Sequence, residues 1–250
     1  MKTTELAAEI GGFLEADNFQ DYAPNGLQVE GGGESRRILL GVTASQALLD
    51  RAVERGADTV LVHHGWFWKG ESPRVVGMKA RRLRTLMKHD IALLAYHLPL
   101  DAHPEVGNNA EIARLLELSV LGKAGSLGLL HYGEPLGGDV AFDAFFEKVG
   151  RVFERTPQLL GRAPERVRRV AWCSGAAQDE LERAAALGCD VYISGEASER
   201  TTHEARELGI AYLACGHHAT ERFGIQALGR WLANRHPELE IAYEEIDNPI

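Results

Sequence analysis

Two stretches of this chain superimpose without a gap. Arg37–Asp58 laid over Arg169–Asp190, an offset of 132 residues, keeps 8 of 22 positions identical: Arg37/Arg169, Ala44/Ala176, Gln46/Gln178, Leu49/Leu181, Arg51/Arg183, Ala52/Ala184, Gly56/Gly188 and Asp58/Asp190. The first copy reads as strand, helix and strand. Ile38–Val42 is an apolar run, and Ser45 can cap a helix whose Leu48, Leu49, Ala52 and Val53 share one face. Gly56 stops that helix, and Thr59–Val62 is the next strand. A chain that repeats such a unit must build parallel strands joined by helical crossovers, so the fold class is α/β.

The rest of the chain keeps the alternation. Met78–Lys88 is a basic amphipathic helix with a solvated charged face, followed by strand Ile91–Tyr96 and a helix from Asn109 to Leu116. Later elements are strand Leu127–His131, helix Phe142–Val149, strand Val170–Cys173, helix Asp179–Ala186, strand Val191–Ser194 and helix Glu199–Leu208. Strand Ile210–Ala214, helix Thr220–Asn234 and a closing strand Leu239–Glu244 complete the pattern. The expected domains are residues 1–125 with 200–250, carrying most of the candidate ligands, and a second, similar α/β domain over 126–199. In the repeat register His63 and His64 fall on Gly195 and Glu196. The same strand end then carries polar chemistry in both halves, which predicts two similar domains whose strand edges face one cleft.

Composition narrows the function classes. A formal net charge of −9 argues against a surface built to neutralise phosphates, so nucleic acid is not an expected partner. Cys173, Cys189 and Cys215 form no CxxC pair and give neither a disulfide framework nor a thiolate zinc site, which fits a reducing cytoplasm. The acidic N-terminal segment lacks a signal-peptide core, and no stretch approaches the roughly 20 apolar residues of a membrane span, so a soluble protein is expected. P-loop, GxSxG, HExxH and dinucleotide fingerprints are absent, and Gly31–Gly33 reads as a loop.

Chemistry concentrates where apolar runs end. Val60–Val62 runs into His63 and His64, Tyr96 leads to His97 and Asp101, and Tyr212–Ala214 leads to His217, His218 and Glu221. Imidazole with carboxylate suits zinc, iron, manganese, cobalt or nickel, whereas calcium prefers all-oxygen cages. Adjacent residues on a strand point to opposite faces, so His63 and His64 can grip one ion only if the chain turns at Gly65, but can each hold one of two neighbouring ions. Asp101 can cap one ion or the turn before Pro104; Glu221 can bridge ions or complement a helix dipole; His218 competes with His217. Two ions about 3.5 to 4 Å apart would polarise a shared water, giving hydrolytic chemistry. His97 and Glu196 are the candidates for handling protons, and Glu196 with His203 for lining the cleft from its other side. His89, His131 and His236 read as hydrogen-bonded loop residues. Trp66, Phe67 and Trp68 offer stacking surface or, more commonly, packing.

At these residues the chain resembles the Nif-three-like proteins, often described as GTP cyclohydrolase I type 2 homologues. The motifs are Asn25-Gly26-Leu27-Gln28, His63-His64-Gly65-x-Phe67-Trp68, Tyr96-His97-x-x-Leu100-Asp101, Gly107-Asn108-Asn109, Ser194-Gly195-Glu196 and Gly216-His217-His218-Ala219-Thr220-Glu221. The resemblance runs from about Leu6 to Leu232. It implies two interlinked α/β domains holding a dinuclear centre between them, and a toroidal homohexamer. It also implies metal ligands at His63, His64, Asp101, His217 and Glu221, the last bridging two divalent ions in each subunit, their identity open among iron, zinc, manganese, nickel and cobalt.

The expected function is accordingly a divalent-metal-dependent hydrolase of the GTP cyclohydrolase type, in which a water activated by the two ions attacks a nucleotide-like small molecule. A non-catalytic metal-binding or metal-delivery protein is the alternative, and a DNA-encircling ring is disfavoured by the acidic composition. Arg74, Lys79, Arg81 and Arg222 are the basic residues available for phosphate.

Overall fold

In the computed structural model, which describes residues 1–125 and 127–250, the chain divides into two compact units. The first comprises Met1–Gly107 and Gly224–Asp247; the second comprises Asn108–Phe223 and Asn248–Ile250. The sequence drew its limits at 125/126 and 199/200, and Ser126, first residue of the expected second domain, lies outside the described residues. The contact limits fall elsewhere because strand Leu118–Ala124 pairs with Leu130–Pro135, and strand Ala211–Ala214 with Val191–Ser194.

The first unit is built on a five-stranded sheet. Its lateral order is Gly26–Val29, Ala92–Ala95, Thr59–His64, Arg37–Thr43 and Glu240–Tyr243, parallel throughout except for the first strand. Ile38, Leu40, Leu61 and Leu94 pack with Leu6 and Ile10 of the helix Thr3–Phe13 and with Leu228 and Leu232. Leu39, Val60 and Leu93 pack on the opposite face with Leu48, Leu49 and Ala52 of the helix Gln46–Glu54 and with Leu83 and Leu86 of the helix Gly77–Lys88. Both faces are covered, which is why these strands read as continuous apolar runs instead of alternating ones.

The second unit repeats the plan. Val170–Trp172, Val191–Ser194 and Ala211–Ala214 are parallel neighbours, flanked by antiparallel Leu130–Pro135 and Leu118–Ala124 on one side and Gln158–Leu160 on the other. Val140–Ala141 and Arg166–Val167 form a separate pair. Trp172, Ile193 and Leu213 pack with Phe145, Val149 and Phe153 of the helix Phe142–Phe153, while Tyr192 and Tyr212 face Leu181, Ala184 and Ala205.

The duplication carries structure as well as identity. Gly56 and Gly188 both stop their helices at positive φ, 62° and 71°. Asp58 N donates to Arg37 O at 3.1 Å, and Asp190 N donates to Arg169 O at 2.8 Å. The helix expected over Asp179–Ala186 begins as a single tight turn, Gln178–Glu180, before the α-helix Leu181–Ala186. The strand expected at Leu127–His131 lies instead at Leu130–Pro135. No helix among the described residues is long and apolar enough to cross a membrane.

Candidate metal centre

In the first unit the strand Thr59–His64 carries both histidines to its carboxyl end. His63 is fully buried, and its Nδ1 lies 3.0 Å from the Tyr96 carbonyl oxygen. His64 Nδ1 lies 3.1 Å from Thr43 Oγ1 on the neighbouring strand. With Nδ1 of each ring engaged, Nε2 is the nitrogen presented inward. His97 follows the adjacent strand, and one ligand atom from each of His63, His64 and His97 lies within 4.8 Å of the others.

The His63 and His64 rings are 4.5 Å apart, and each stands within 5.6 Å of the His97 ring. Their separate tethers, to the strand on either side, turn both rings to the same strand end. Asp101 sits on the short helix Leu98–Ala102, nearly buried, with Oδ2 3.6 Å from His63 Nε2.

His97 is held by a segment upstream of the repeat. Its backbone N donates to Asn25 Oδ1 (2.8 Å), and its Nδ1 lies 2.7 Å from Asp21 Oδ1. Burial alone would raise the Asp21 carboxyl, but hydrogen bonds from His97, Asn25 and the Leu98 amide hold it down at about 2. Asp21 escaped the sequence reading, although the neighbouring Asn25–Gln28 motif was its signal. Gln28 in that motif accepts from Trp66 N at 2.7 Å, joining the segment to the residue after Gly65.

In the second unit the helix His217–Arg235 starts just after the strand Ala211–Ala214 and places His217 and Glu221 one turn apart. His217 Nε2 is 3.0 Å from Glu221 Oε2, and His217 Nδ1 is 2.6 Å from Glu196 Oε1. Burial lowers the imidazole, but hydrogen bonds and charge from Glu221 and Glu196 prevail and raise it to about 9. His217, rather than His218, makes these contacts, while His218 N donates to Ile250 O.

Glu221 is 3 % exposed and packs beneath the loop after Val170–Trp172, where a Cβ on Gly175 would lie 2.2 Å from Glu221 Oε1. Buried Asn109 holds that loop. Its Oδ1 accepts from Ser174 N at 3.0 Å, and its carbonyl accepts from Trp172 Nε1 at 2.9 Å. This gives the Gly107-Asn108-Asn109 motif a physical role. Among the described residues, His, Asp and Glu side chains therefore form groups that could hold a metal ion.

The other candidates lie elsewhere. His203 pairs with Glu199 on an exposed helix face at 3.0 Å. His131 is a buried strand residue rather than a loop one, and His236 pairs with Glu9 at 2.9 Å. Trp66 is core, its Nε1 donating to the Ala44 carbonyl; Trp68 stands edge-on to His97, with ring centroids 5.0 Å apart. Lys79 is taken by Glu71 and Arg222 by Glu154, while Arg74 and Arg81 are exposed.

A family model described as "Duf34/NIF3 (NGG1p interacting factor 3)" matches residues 1–249. The chain belongs to the DUF34/NIF3 family. A Yersinia pestis member of that family, named "GTP cyclohydrolase 1 type 2 homolog", is 51% identical over 252 residues, covering all of both chains. An Escherichia coli K12 relative with the same name is 50% identical, again over all of both chains.

Among solved DUF34/NIF3-like structures, one described as "protein ybgI, unknown function" superposes with a TM-score of 0.95 at 50% identity over the whole of both chains. "Reduced HcgD from Methanocaldococcus jannaschii" superposes at 0.87 with 25% identity over 98% of each. The mixed α/β fold is thus that of the DUF34/NIF3 structural neighbours.

Proposed function

We propose that this DUF34/NIF3 chain is a divalent-metal-dependent hydrolase of the cyclohydrolase type acting on a nucleotide-like small molecule. In this reading His63, His64, Asp101, His217 and Glu221 would hold two divalent ions per subunit. The observation that supports it is common to both units. His63, His64 and His217 each have Nδ1 tethered to a carbonyl, a hydroxyl or a carboxylate, the arrangement that orients imidazole for coordination through Nε2. A carboxylate stands opposite two of those Nε2 atoms, Asp101 at 3.6 Å and Glu221 at 3.0 Å. The donor set of imidazoles and carboxylates fits borderline divalent metals.

When bound, such ions would supply polarisation of a water, making it a competent nucleophile near neutral pH. The chain's own residues supply the rest. His97 moves a proton through its Nε2, the nitrogen remote from Asp21, and Glu196 holds the proton on His217 Nδ1. Trp68 stands edge-on to the His97 ring. The relatives' name supports the cyclohydrolase class, and the family resemblance supports a cytoplasmic toroidal homohexamer.

The test is purified protein loaded separately with iron, manganese or zinc and offered guanosine triphosphate. Metal-dependent loss of purine absorbance with a ring-opened product is expected. Its absence with every metal removes the cyclohydrolase reading, and transfer of bound ions to an acceptor protein without turnover favours metal delivery.

A further inference from the structure

Asp21 lies outside the duplicated segments and outside every motif that points to metal, yet its side chain is 3% exposed and fully engaged. Oδ1 accepts from Tyr22 N at 2.6 Å, and Oδ2 accepts from Asn25 Nδ2 at 3.0 Å and Leu98 N at 2.9 Å. These three partners are donors only, so they hold the group as a carboxylate with no proton of its own. The remaining contact, 2.7 Å to His97 Nδ1, must then also be a donation, from the ring to the carboxylate.

The position of the ring is fixed as well as its proton. Asn25 binds both partners, donating to Asp21 and accepting from His97 N, so backbone and side chain of His97 are gripped by one five-residue segment. With Nδ1 turned to Asp21, the edge bearing Nε2 faces His63 and His64, whose ring centroids lie 5.2 and 5.6 Å away. Trp68 closes on the ring edge-on at 5.0 Å and limits its rotation.

We propose that Asp21 is a positioning residue that fixes His97 in the Nδ1–H tautomer and so delivers the Nε2 lone pair to the histidine cluster. This rests on the reading of His97 as the proton-handling group, and it assigns that role to a pair of residues rather than to His97 alone. A carboxylate behind an imidazole sets the tautomer and steadies the ring. Asn25 serves the same end by holding Asp21 in place.

The test is long-range 1H–15N correlation spectroscopy of the full chain with 15N-labelled histidine, metal-free and zinc-loaded, His97 being assigned with a His97→Gln variant. The expected result is a His97 proton on Nδ1 in the unmodified protein, retained in Asp21→Glu and lost or mixed with the other tautomer in Asp21→Asn. A proton on Nε2 in the unmodified protein overturns the proposal, and that measurement stands even if Asp21→Asn fails to fold. An unchanged His97 signal in a folded Asp21→Asn also overturns it. The readout needs no turnover: if guanosine triphosphate is untouched while the tautomer follows Asp21, the hydrolase reading fails and the positioning role stands.

Discussion

Asp58 and Asp190, 132 residues apart, make the same bonds in their respective units. Asp58 accepts from the backbone N–H groups of Arg36 and Arg37 at 3.0 Å, and Asp190 accepts from those of Arg168 and Arg169 at 2.8 and 2.9 Å. Each carboxylate ties the turn after a helix to the start of the strand before it, so the crossover is clamped at its base. Charge-assisted bonds to backbone amides are stronger than neutral ones, and their loss leaves two amides to find other partners. Asp58→Ala and Asp190→Ala are each expected to lower unfolding stability by about 1–3 kcal/mol in urea titrations. A large loss at one aspartate and none at the other would contradict the equivalence.

That pair also shows what the sequence could reveal. Gly56/Gly188 and Asp58/Asp190 are identical because a helix stop and an amide clamp each admit few residue types, so the repeat is legible wherever geometry restricts chemistry. Strands Val191–Ser194 and Ala211–Ala214 are apolar on both faces and announce themselves for the same reason. Strand Leu118–Ala124 does not, because it is an edge strand with exposed Val120 and Leu121, and its pairing with Leu130–Pro135 sets its place. His63, His64, His97, Asp101, His217 and Glu221 were visible as chemistry at strand ends. Asp21 was not, since a lone acid in a loop has no periodic signature and acquires its meaning from a partner 76 residues away.

Glu196 stands behind His217 as Asp21 stands behind His97, at 2.6 Å from Nδ1. In the proposed centre His217 coordinates through Nε2, and Glu196 sets its orientation and basicity. Glu196→Gln is expected to weaken metal affinity by about 10- to 100-fold, the range seen for partners of coordinating histidines, while leaving the fold intact. Competition with a chelator of known strength measures it. Unchanged affinity would leave Glu196 without a role in holding the ion.

His131 gives a pH signature independent of any metal. It is 3% exposed and stacks on Trp172 with ring centroids 5.7 Å apart. Burial lowers its pKa to about 4 from 6.5, only partly opposed by the Leu129 carbonyl. The unfolded chain therefore takes the proton first. The contribution is fully present above pH 6.5 and is lost as pH falls through the window from 6.5 to 4. The full difference is on the order of 3 kcal/mol. His131→Gln should flatten that part of the stability curve relative to the unmodified protein when both are unfolded in urea at pH 7 and pH 4.5; parallel curves would contradict the burial effect.

Gly175 offers the sharpest separation of site from scaffold, because the molecule contains its own control. Gly175 has φ 68° and Gly188 has φ 71°, so an alanine at either incurs similar backbone strain, about 1–2 kcal/mol. Their surroundings differ. A Cβ at Gly175 would lie 2.2 Å from Glu221 Oε1 and 3.2 Å from His217 Nε2, whereas the nearest atom at Gly188 is Arg169 Nη1 at 3.9 Å. Gly175→Ala must displace Glu221 from its seat or push the loop that Asn109 holds, and either movement breaks the approach of Glu221 to His217. Gly175→Ala should lose more stability than Gly188→Ala, and under conditions where both are folded Gly175→Ala alone loses divalent metal, read as ions per chain by elemental analysis after dialysis. Equal metal content in the two variants would mean that Glu221 and His217 are not where the ion is held.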